Sequence, residues 1–167
     1  IAIVAYLIGS INFSVILSRK MAGFDVREKG SGNAGTTNML RSVGKKAAAI
    51  TLVCDILKGV VAILIAMLMN KIFKDSNGAL LVQIAGVAVI LGHTFPIFFK
   101  FKGGKGVATS LGVLIMSNWQ IGLICLVFAL ILIILTQMVS VGSIAAAILY
   151  PVLTLFIPQN YIIPGNY

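Results

Sequence analysis

The sequence predicts an all-α polytopic membrane protein, a helical bundle with about six membrane spans in this chain. Hydrophobic residues make up 59% of the chain, charged residues make up 10%, and the mean hydropathy is +1.07. A soluble domain carries about 25% charged residues. Residues 106–167 contain no Asp, Glu, Lys or Arg. These three observations indicate a chain whose surroundings are largely lipid.

Six apolar segments follow one another along the chain. A membrane-spanning helix needs about 20 mostly apolar residues, or fewer where polar residues cap it. The segment Val107–Met116 is short for a span, so it is either a short crossing or a re-entrant half-helix. The predicted spans are Ile1–Ser18, Ala47–Met69, Ala79–Phe99, Val107–Met116, Trp119–Gln137 and Val141–Ile157. The first of them is polar near its inner half, at Ser10, Asn12, Ser14 and Ser18, which is consistent with a helix that lines a cleft.

Basic residues in the loops predict the orientation of the chain. The loop Arg19–Lys46 carries seven basic residues against Asp25 and Glu28, and the loop Lys100–Lys105 carries three basic residues and no acid. Loops rich in Lys and Arg stay on the cytoplasmic side of a membrane. Both loops are therefore expected in the cytoplasm, with the N-terminus outside.

Charge and cysteine content limit the classes of partner. The formal net charge is +9, which favours anionic ligands or anionic lipid headgroups. The basic residues lie in short loops between spans, so we do not expect a nucleic acid partner. Cys54 and Cys125 both lie in apolar runs, so neither a disulfide nor a metal site is expected. The four acidic residues are not clustered, which argues against a Mg²⁺-dependent phosphotransferase.

The loop Gly30–Arg41 is the first candidate for a site. It reads Gly-Ser-Gly-Asn-Ala-Gly-Thr-Thr-Asn-Met-Leu-Arg. Glycines let a backbone turn sharply and approach a ligand, successive turn N–H groups form anion-binding nests, and Arg binds phosphate with two parallel hydrogen bonds. The alternative is an ordinary linker, because the same residue types are common in turns.

The second candidate is the run Gly92–Thr109, in which Gly-His-Thr-Phe-Pro is followed by Phe-Lys-Gly-Gly-Lys-Gly-Val-Ala-Thr. A glycine-rich loop with lysines that leads directly into a helix is suited to holding phosphate. It is not a Walker loop, because the Gly-Lys-Ser/Thr spacing is absent. The alternative is a flexible turn that anchors the chain by its positive charge. Two such loops on one membrane face predict a site for two anionic groups.

Three ionisable residues stand apart from the loops. His93 is the single histidine and the obvious proton carrier, although a lone histidine is more often a packing or hydrogen-bonding residue. Asp55 and Lys58 lie inside a predicted span, where charge is costly and marks a functional site by default. The alternative is an i,i+3 pair that neutralises itself.

Taken together, the motifs Gly30–Asn38 with Arg41, Gly92–Pro96 and Phe101–Thr109 resemble those of the bacterial acyl-phosphate:glycerol-3-phosphate acyltransferases. The resemblance covers nearly the whole chain and implies an integral inner-membrane enzyme of phospholipid synthesis. It implies transfer of a fatty acyl group from acyl phosphate to the 1-hydroxyl of sn-glycerol 3-phosphate, giving lysophosphatidate and phosphate. It also implies that Ser31 and Arg41 are required for activity and that Gly103, Gly104 and Gly106 bind glycerol phosphate.

The resemblance also implies a further segment. The family carries a third cytoplasmic motif with His, Asn and Glu after a last membrane helix, whereas this chain ends at Tyr167. We therefore expect residues 1–167 to form a single membrane-embedded acyltransferase domain that is truncated at its C-terminus. Seven spans are expected in the intact protein.

The expected reaction is direct acyl transfer without a metal or cofactor, with the acyl chain lying among membrane lipids. The residues expected to act in catalysis are Ser31, Asn33, Arg41, His93 and Asp55. The residues expected to bind glycerol 3-phosphate and acyl phosphate are Gly30, Gly32, Thr37, Asn38, Lys102, Gly103, Gly104, Lys105, Gly106 and Thr109. Two other classes compete with the enzyme: a transporter of a phosphorylated small molecule, since broken helices also face anions in transporters, and a structural membrane subunit.

Overall fold

The computed structural model describes residues 1–73 and 78–158, and within these residues the regular structure is entirely helical. Two short 3₁₀ turns are present in these residues: Val26–Glu28 precedes the first candidate loop, and Ile97–Phe99 precedes the glycines of the second, residues 103–106. The α-helices are α1 (Ala2–Ser10), α2 (Phe13–Ala22), α3 (Thr36–Ser42), α4 (Lys45–Phe73), α5 (Gly78–Thr94), α6 (Val107–Ser117), α7 (Trp119–Thr136) and α8 (Val139–Thr154). The predicted all-α class is confirmed.

Within the described ranges, four helical segments are long and apolar enough to cross a membrane: Ala2–Ala22, Lys45–Phe73, Gly78–Phe99 and Trp119–Thr136. The helices α6 and α8 are apolar but shorter. At 1.5 Å per residue, the 11 residues of α6 extend over about 16 Å, roughly half of the hydrocarbon core. The prediction that this segment is too short for a full-length span is confirmed.

The first predicted span, Ile1–Ser18, is divided between two helices. The prediction of one continuous helix there was wrong. The backbone is extended at Ile11 and Asn12, which separates α1 from α2. The cause is local, because the Asn12 side chain accepts hydrogen bonds from the Val15 amide at 3.2 Å and the Ser14 hydroxyl at 2.7 Å. Asn is among the preferred N-cap residues, so it starts a new helix here.

A lysine from α4 satisfies the carbonyl groups at this break. Lys58 Nζ donates to the carbonyl oxygens of Gly9 at 3.1 Å and Ile11 at 3.0 Å. The last carbonyls of a helix have no partner within it, and a cation is the favourable group there. Lys58, a charged residue inside a predicted span, thus supplies hydrogen-bond donors at the break between α1 and α2.

The described residues form two compact units, one over Ile1–Val113 and a second that begins at Leu114. In the first unit α1 packs closely on α5: a Cβ added at Gly9 would overlap the Val89 carbonyl oxygen, and one added at Gly92 would overlap the Tyr6 carbonyl oxygen. Small residues allow this close approach of membrane helices. In the second unit α7 packs against α8. That residues 1–167 form a single domain stays a prediction.

Candidate active site

Asn38 organises the first loop from within. Its side chain is 1% exposed, and its Nδ2 lies 2.8 to 3.0 Å from the carbonyl oxygens of Val26, Lys29 and Asn33. Its Oδ1 accepts from the Ser31 amide at 3.1 Å. Gly30 is left-handed with φ 58°, and a Cβ there would overlap Asn38 Oδ1. Asn38 therefore acts as the interior support of the loop, and α3, which the sequence did not predict, carries it.

The first loop leaves two of its predicted site residues on the surface. Ser31 and Arg41 are exposed, and within the described chain neither the Ser31 hydroxyl nor the Arg41 guanidinium has an intramolecular hydrogen bond or ion pair. Asn33 and Thr37 are half-buried beside them. The loop thus presents one hydroxyl and one cation that are available to a ligand.

The second loop turns back onto the end of α5. The amides of Gly103 and Gly104 donate to the carbonyl oxygens of Thr94 at 3.1 Å and His93 at 3.2 Å. A Cβ added at Gly103 would overlap the His93 carbonyl oxygen, and one added at Gly104 would overlap both His93 Nε2 and the Ala34 carbonyl oxygen. Glycine is required at both positions because the backbones approach so closely.

The two loops lie against each other. The Ala34 amide donates to the Gly103 carbonyl oxygen at 3.4 Å, and the Ala34 carbonyl oxygen borders Gly104. The structure therefore brings together two motifs that are separated by α4 and α5 in the chain. Ser31 and Arg41 belong to the same cluster of loops as Lys102 and Lys105.

Some backbone amides of the two loops are hydrogen-bonded within the protein, and others are free to bind a ligand. Gly32, Gly103 and Gly104 already donate to carbonyl oxygens, so these glycines shape the loops and do not offer free N–H groups. In the described residues, the amides of Lys105 and Gly106 have no such partner, and they lead directly into the N-terminus of α6. This is where backbone donors remain for an anion.

Thr109 lies away from the loop surface. Its side chain is fully buried in α6, and its Oγ1 has no hydrogen-bond partner within the described residues. A Cβ added at Gly59 of α4 would overlap the Thr109 carbonyl oxygen, so Thr109 lies at the packed face between α4 and α6. The structure does not bring Thr109 together with the exposed residues of the predicted site.

Lys58, Asp55 and His93, the three ionisable residues in the predicted spans, lie next to one another behind the second loop. Lys58 Nζ lies 2.9 Å from Asp55 Oδ1, and His93 Nδ1 lies 3.6 Å from the same oxygen. All three side chains are nearly fully buried. The i,i+3 pairing of Asp55 with Lys58 is present, and Asp55 additionally faces His93. His93 thus has Asp55 at one ring nitrogen and Gly104 at the other.

Sequence reasoning missed a polar cluster ahead of the first loop. Asp25 is 7% exposed and binds both Arg19, at 2.8 Å, and Arg27, at 2.7 Å. The hydrogen bonds from Arg27 hold the pKa of Asp25 well below its usual range, and Asp25 in turn raises the pKa of Arg27. The spacing of an acid and an arginine just before a glycine-rich loop was the signal available in the sequence.

The loops carry a strong positive charge. Several basic side chains on the loops are exposed. Among the acidic side chains of the described loops, Glu28 is exposed. In residues 19–46 and 100–105, the exposed cations are Arg19, Lys20, Lys29, Arg41, Lys45, Lys46, Lys100, Lys102 and Lys105. The described residues contain no group of three His, Cys, Asp or Glu side chains placed to hold a metal ion. The surface is suited to small anions.

Comparison with known proteins agrees on one family. The family profile described as glycerol-3-phosphate acyltransferase matches residues 1–165. A glycerol-3-phosphate acyltransferase from Thermoanaerobacter pseudethanolicus is 47% identical over 152 residues, covering 91% of this chain and 73% of the relative. One from Clostridioides difficile is 41% identical over 160 residues, covering 96% of this chain and 78% of the relative.

Solved structures give the same result. A crystal structure of PlsY, an integral membrane glycerol 3-phosphate acyltransferase, in its glycerol 3-phosphate form matches with a TM-score of 0.80 and 38% identity. It covers 92% of this chain and 74% of that chain. The lysophosphatidic acid form of the same enzyme matches with a TM-score of 0.77 and 36% identity, with the same coverage.

Proposed function

Since the chain belongs to the glycerol-3-phosphate acyltransferase family, we propose that it uses acyl phosphate as the donor and acylates the 1-hydroxyl of its acceptor. The chain is an integral membrane enzyme that acylates glycerol 3-phosphate. The proposed products are lysophosphatidate and inorganic phosphate. Acyl phosphate is a mixed anhydride with a good leaving group, so binding two anions side by side is the main task of the site.

The observation that carries the proposal is the contact between the two loops. The Ala34 amide binds the Gly103 carbonyl oxygen, so the exposed cations Arg41, Lys102 and Lys105 belong to one surface. We assign these cations, with the free amides of Lys105 and Gly106, to the two phosphate groups. Ion-assisted hydrogen bonds of this kind are stronger than neutral ones.

The reaction is written as a direct transfer. The 1-hydroxyl oxygen of glycerol 3-phosphate attacks the acyl carbonyl carbon, a new ester C–O bond forms, and the bond from that carbon to the phosphate oxygen breaks. Inorganic phosphate leaves with the electron pair. We assign Ser31, Asn33 and Thr37 to orienting the hydroxyl and stabilising the developing oxyanion, while Asn38 supports the loop that carries them.

The hydroxyl proton has two candidate acceptors, an oxygen of the departing phosphate and His93. His93 is better placed than Asp55, because its Nε2 borders Gly104 of the loop whereas Asp55 is paired with Lys58. Asp55 then acts behind His93, facing Nδ1.

We further propose that the site faces the cytoplasm from the bacterial inner membrane. Both loops are basic, and basic loops stay on the cytoplasmic side. The acyl chain of the donor would lie among the lipid tails next to the apolar helices, entering from the side.

The test is an assay of the purified protein in lipid vesicles with acyl phosphate and radiolabelled glycerol 3-phosphate. Labelled lysophosphatidate without uptake of label into the vesicle lumen is expected. Uptake without acyl product would contradict the enzyme and support a transporter. Product formation from acyl-CoA but not from acyl phosphate would contradict the proposed donor alone.

A second measurement separates direct transfer from a covalent intermediate. The protein is incubated with acyl phosphate in the absence of glycerol 3-phosphate and analysed by intact-mass spectrometry. We expect no acyl adduct. A stable adduct that maps to Ser31 would show that the hydroxyl acts as a nucleophile and would overturn this mechanism.

A further inference from the structure

Arg27 joins the two loops through its guanidinium group. Its Nη1 donates to the carbonyl oxygens of Phe99 at 2.8 Å and Lys102 at 3.0 Å. On its other side, Nε and Nη2 donate to the two oxygens of Asp25 at 2.9 and 2.7 Å. The Arg27 side chain, which lies just before the first loop, thus binds both ends of the turn 99–102.

The turn that Arg27 holds is conformationally costly. Lys100 and Phe101 both have a φ of 58°, in the left-handed region that residues with a side chain rarely occupy. The next residues, Gly103 and Gly104, make the contacts with His93 and Ala34. A strained turn of this kind persists only where its surroundings fix it.

Asp25 fixes the direction of the guanidinium. Its carboxylate also accepts hydrogen bonds from Arg19 and from the Arg27 amide. Arg19 is the more exposed partner, at 58% against 18% for Arg27, and among the described residues its side chain has no hydrogen bond or ion pair with the second loop. The two arginines therefore share one carboxylate, but Arg27 alone of the pair extends from it to the turn at 99–102.

We propose that Arg27 is a positioning residue for the anion site, holding the turn 99–102 so that Lys102 and Lys105 lie beside the first loop. The inference rests on the proposed function of the two loops. Arg27 is assigned no substrate contact of its own, because four of the five N–H groups of its guanidinium donate to Asp25 and two carbonyl oxygens. Its effect would be on the affinity for glycerol 3-phosphate.

The experiment compares R27K with R19K in the full chain reconstituted in lipid. R27K retains a positive charge beside Asp25, but a single ammonium cannot reproduce both the Nε and Nη2 bonds to Asp25 and the two Nη1 bonds to carbonyl oxygens. We expect the KM for glycerol 3-phosphate to rise about tenfold in R27K, with kcat changing less than about threefold. R19K, which disturbs the same carboxylate, is expected to stay within about twofold of wild type in both constants.

Rescue provides a second arm. In R27A, added guanidinium at tens of millimolar is expected to lower the KM, whereas methylammonium at the same concentration is expected to leave it unchanged. KM does not depend on the fraction of folded enzyme, so it stays informative if a variant is less stable. Unchanged KM in R27K and R27A, or equal rises in R27K and R19K, would overturn the proposal. If wild type itself makes no acyl product, the proposed function has failed, which is a separate result.

Discussion

A methyl group at Gly104 would meet two atoms at once, His93 Nε2 and the Ala34 carbonyl oxygen. We therefore expect G104A to separate the two loops and to lower kcat/KM about 10- to 100-fold, the effect of an overpacked contact of 1–3 kcal/mol. The measurement is steady-state acylation in lipid.

The matched control for G104A is G23A. Gly23 has a φ of 75° but no atom within 4 Å of an added Cβ, so it tests backbone strain without overlap. We expect G23A to lower stability slightly and to leave kcat/KM within about twofold of wild type. Equal losses of activity in the two variants would mean that the contact at Gly104 is not the cause.

The Asp25 carboxylate makes stability depend on pH. Its pKa in the folded protein is well below the ordinary value of 3.8, so its contribution is complete above that value. The contribution is lost as the pH falls through 3.8 toward the lower folded pKa. We expect the Tm of wild type to fall more steeply than that of D25N between about pH 5 and pH 3. Parallel curves would contradict this assignment.

At the scale of residues, the sequence singled out candidate site residues but did not predict which of them are buried and which are exposed. Asn38 and Thr109 are polar residues within recognisable motifs, yet one supports the loop interior and the other is buried in a helix. Burial depends on which elements pack together, and a motif does not contain that information. Arg27 was missed for the same reason, since its partners at Phe99 and Lys102 are distant in the chain.

At the scale of elements, the break between α1 and α2 shows that the mean hydropathy of a segment does not reveal where a helix is interrupted. The stretch Ala2–Ala22 is long and apolar enough to count as one span, although Asn12 and Ser14 together form an N-cap signal within it. The bounds of α4 and α5 were easier to predict, because long apolar runs leave little choice. The short helix α3 was not predicted, since its seven residues lie in a glycine-rich loop.

Lys58 joins these elements, and its removal should be costly. K58M leaves Asp55 buried without its cation and the carbonyl oxygens of Gly9 and Ile11 without a donor. Removing one partner of a buried pair costs about 3–5 kcal/mol. We expect a marked fall in Tm in detergent, measured by thermal unfolding.

The double variant K58M/D55L tests the physical reason. If the cost of K58M comes mainly from the uncompensated carboxylate, replacing Asp55 with a leucine should restore part of the lost Tm. The exposed Lys45 at the start of α4 supplies the control, and K45M is expected to change Tm little. A K58M variant as stable as K45M would contradict the role assigned to Lys58.

For the whole molecule, composition was sufficient to predict the all-helical membrane class. A chain with so few charged and so many hydrophobic residues is expected to be surrounded by lipid. Composition did not predict that the two glycine-rich loops meet. That contact depends on how α4 and α5 return the chain to its starting side, which two apolar helices of this length accomplish together.

The predicted orientation is tested by labelling. Single cysteines at Lys29 and Lys102, in a background lacking Cys54 and Cys125, should both react with a membrane-impermeant maleimide in inside-out vesicles and not in intact spheroplasts. A cysteine at Ala2 should react in spheroplasts. Labelling of positions 29 and 102 from opposite sides would contradict a shared face.

Neither α1 nor α4 is well suited to lipid alone. The carbonyl groups of Gly9 and Ile11 would lack donors in a solitary α1, and a solitary α4 would carry Lys58 and Asp55 into hydrocarbon. Each helix removes the penalty of the other. The place of α1 in the bilayer therefore depends on a helix that is synthesised after it.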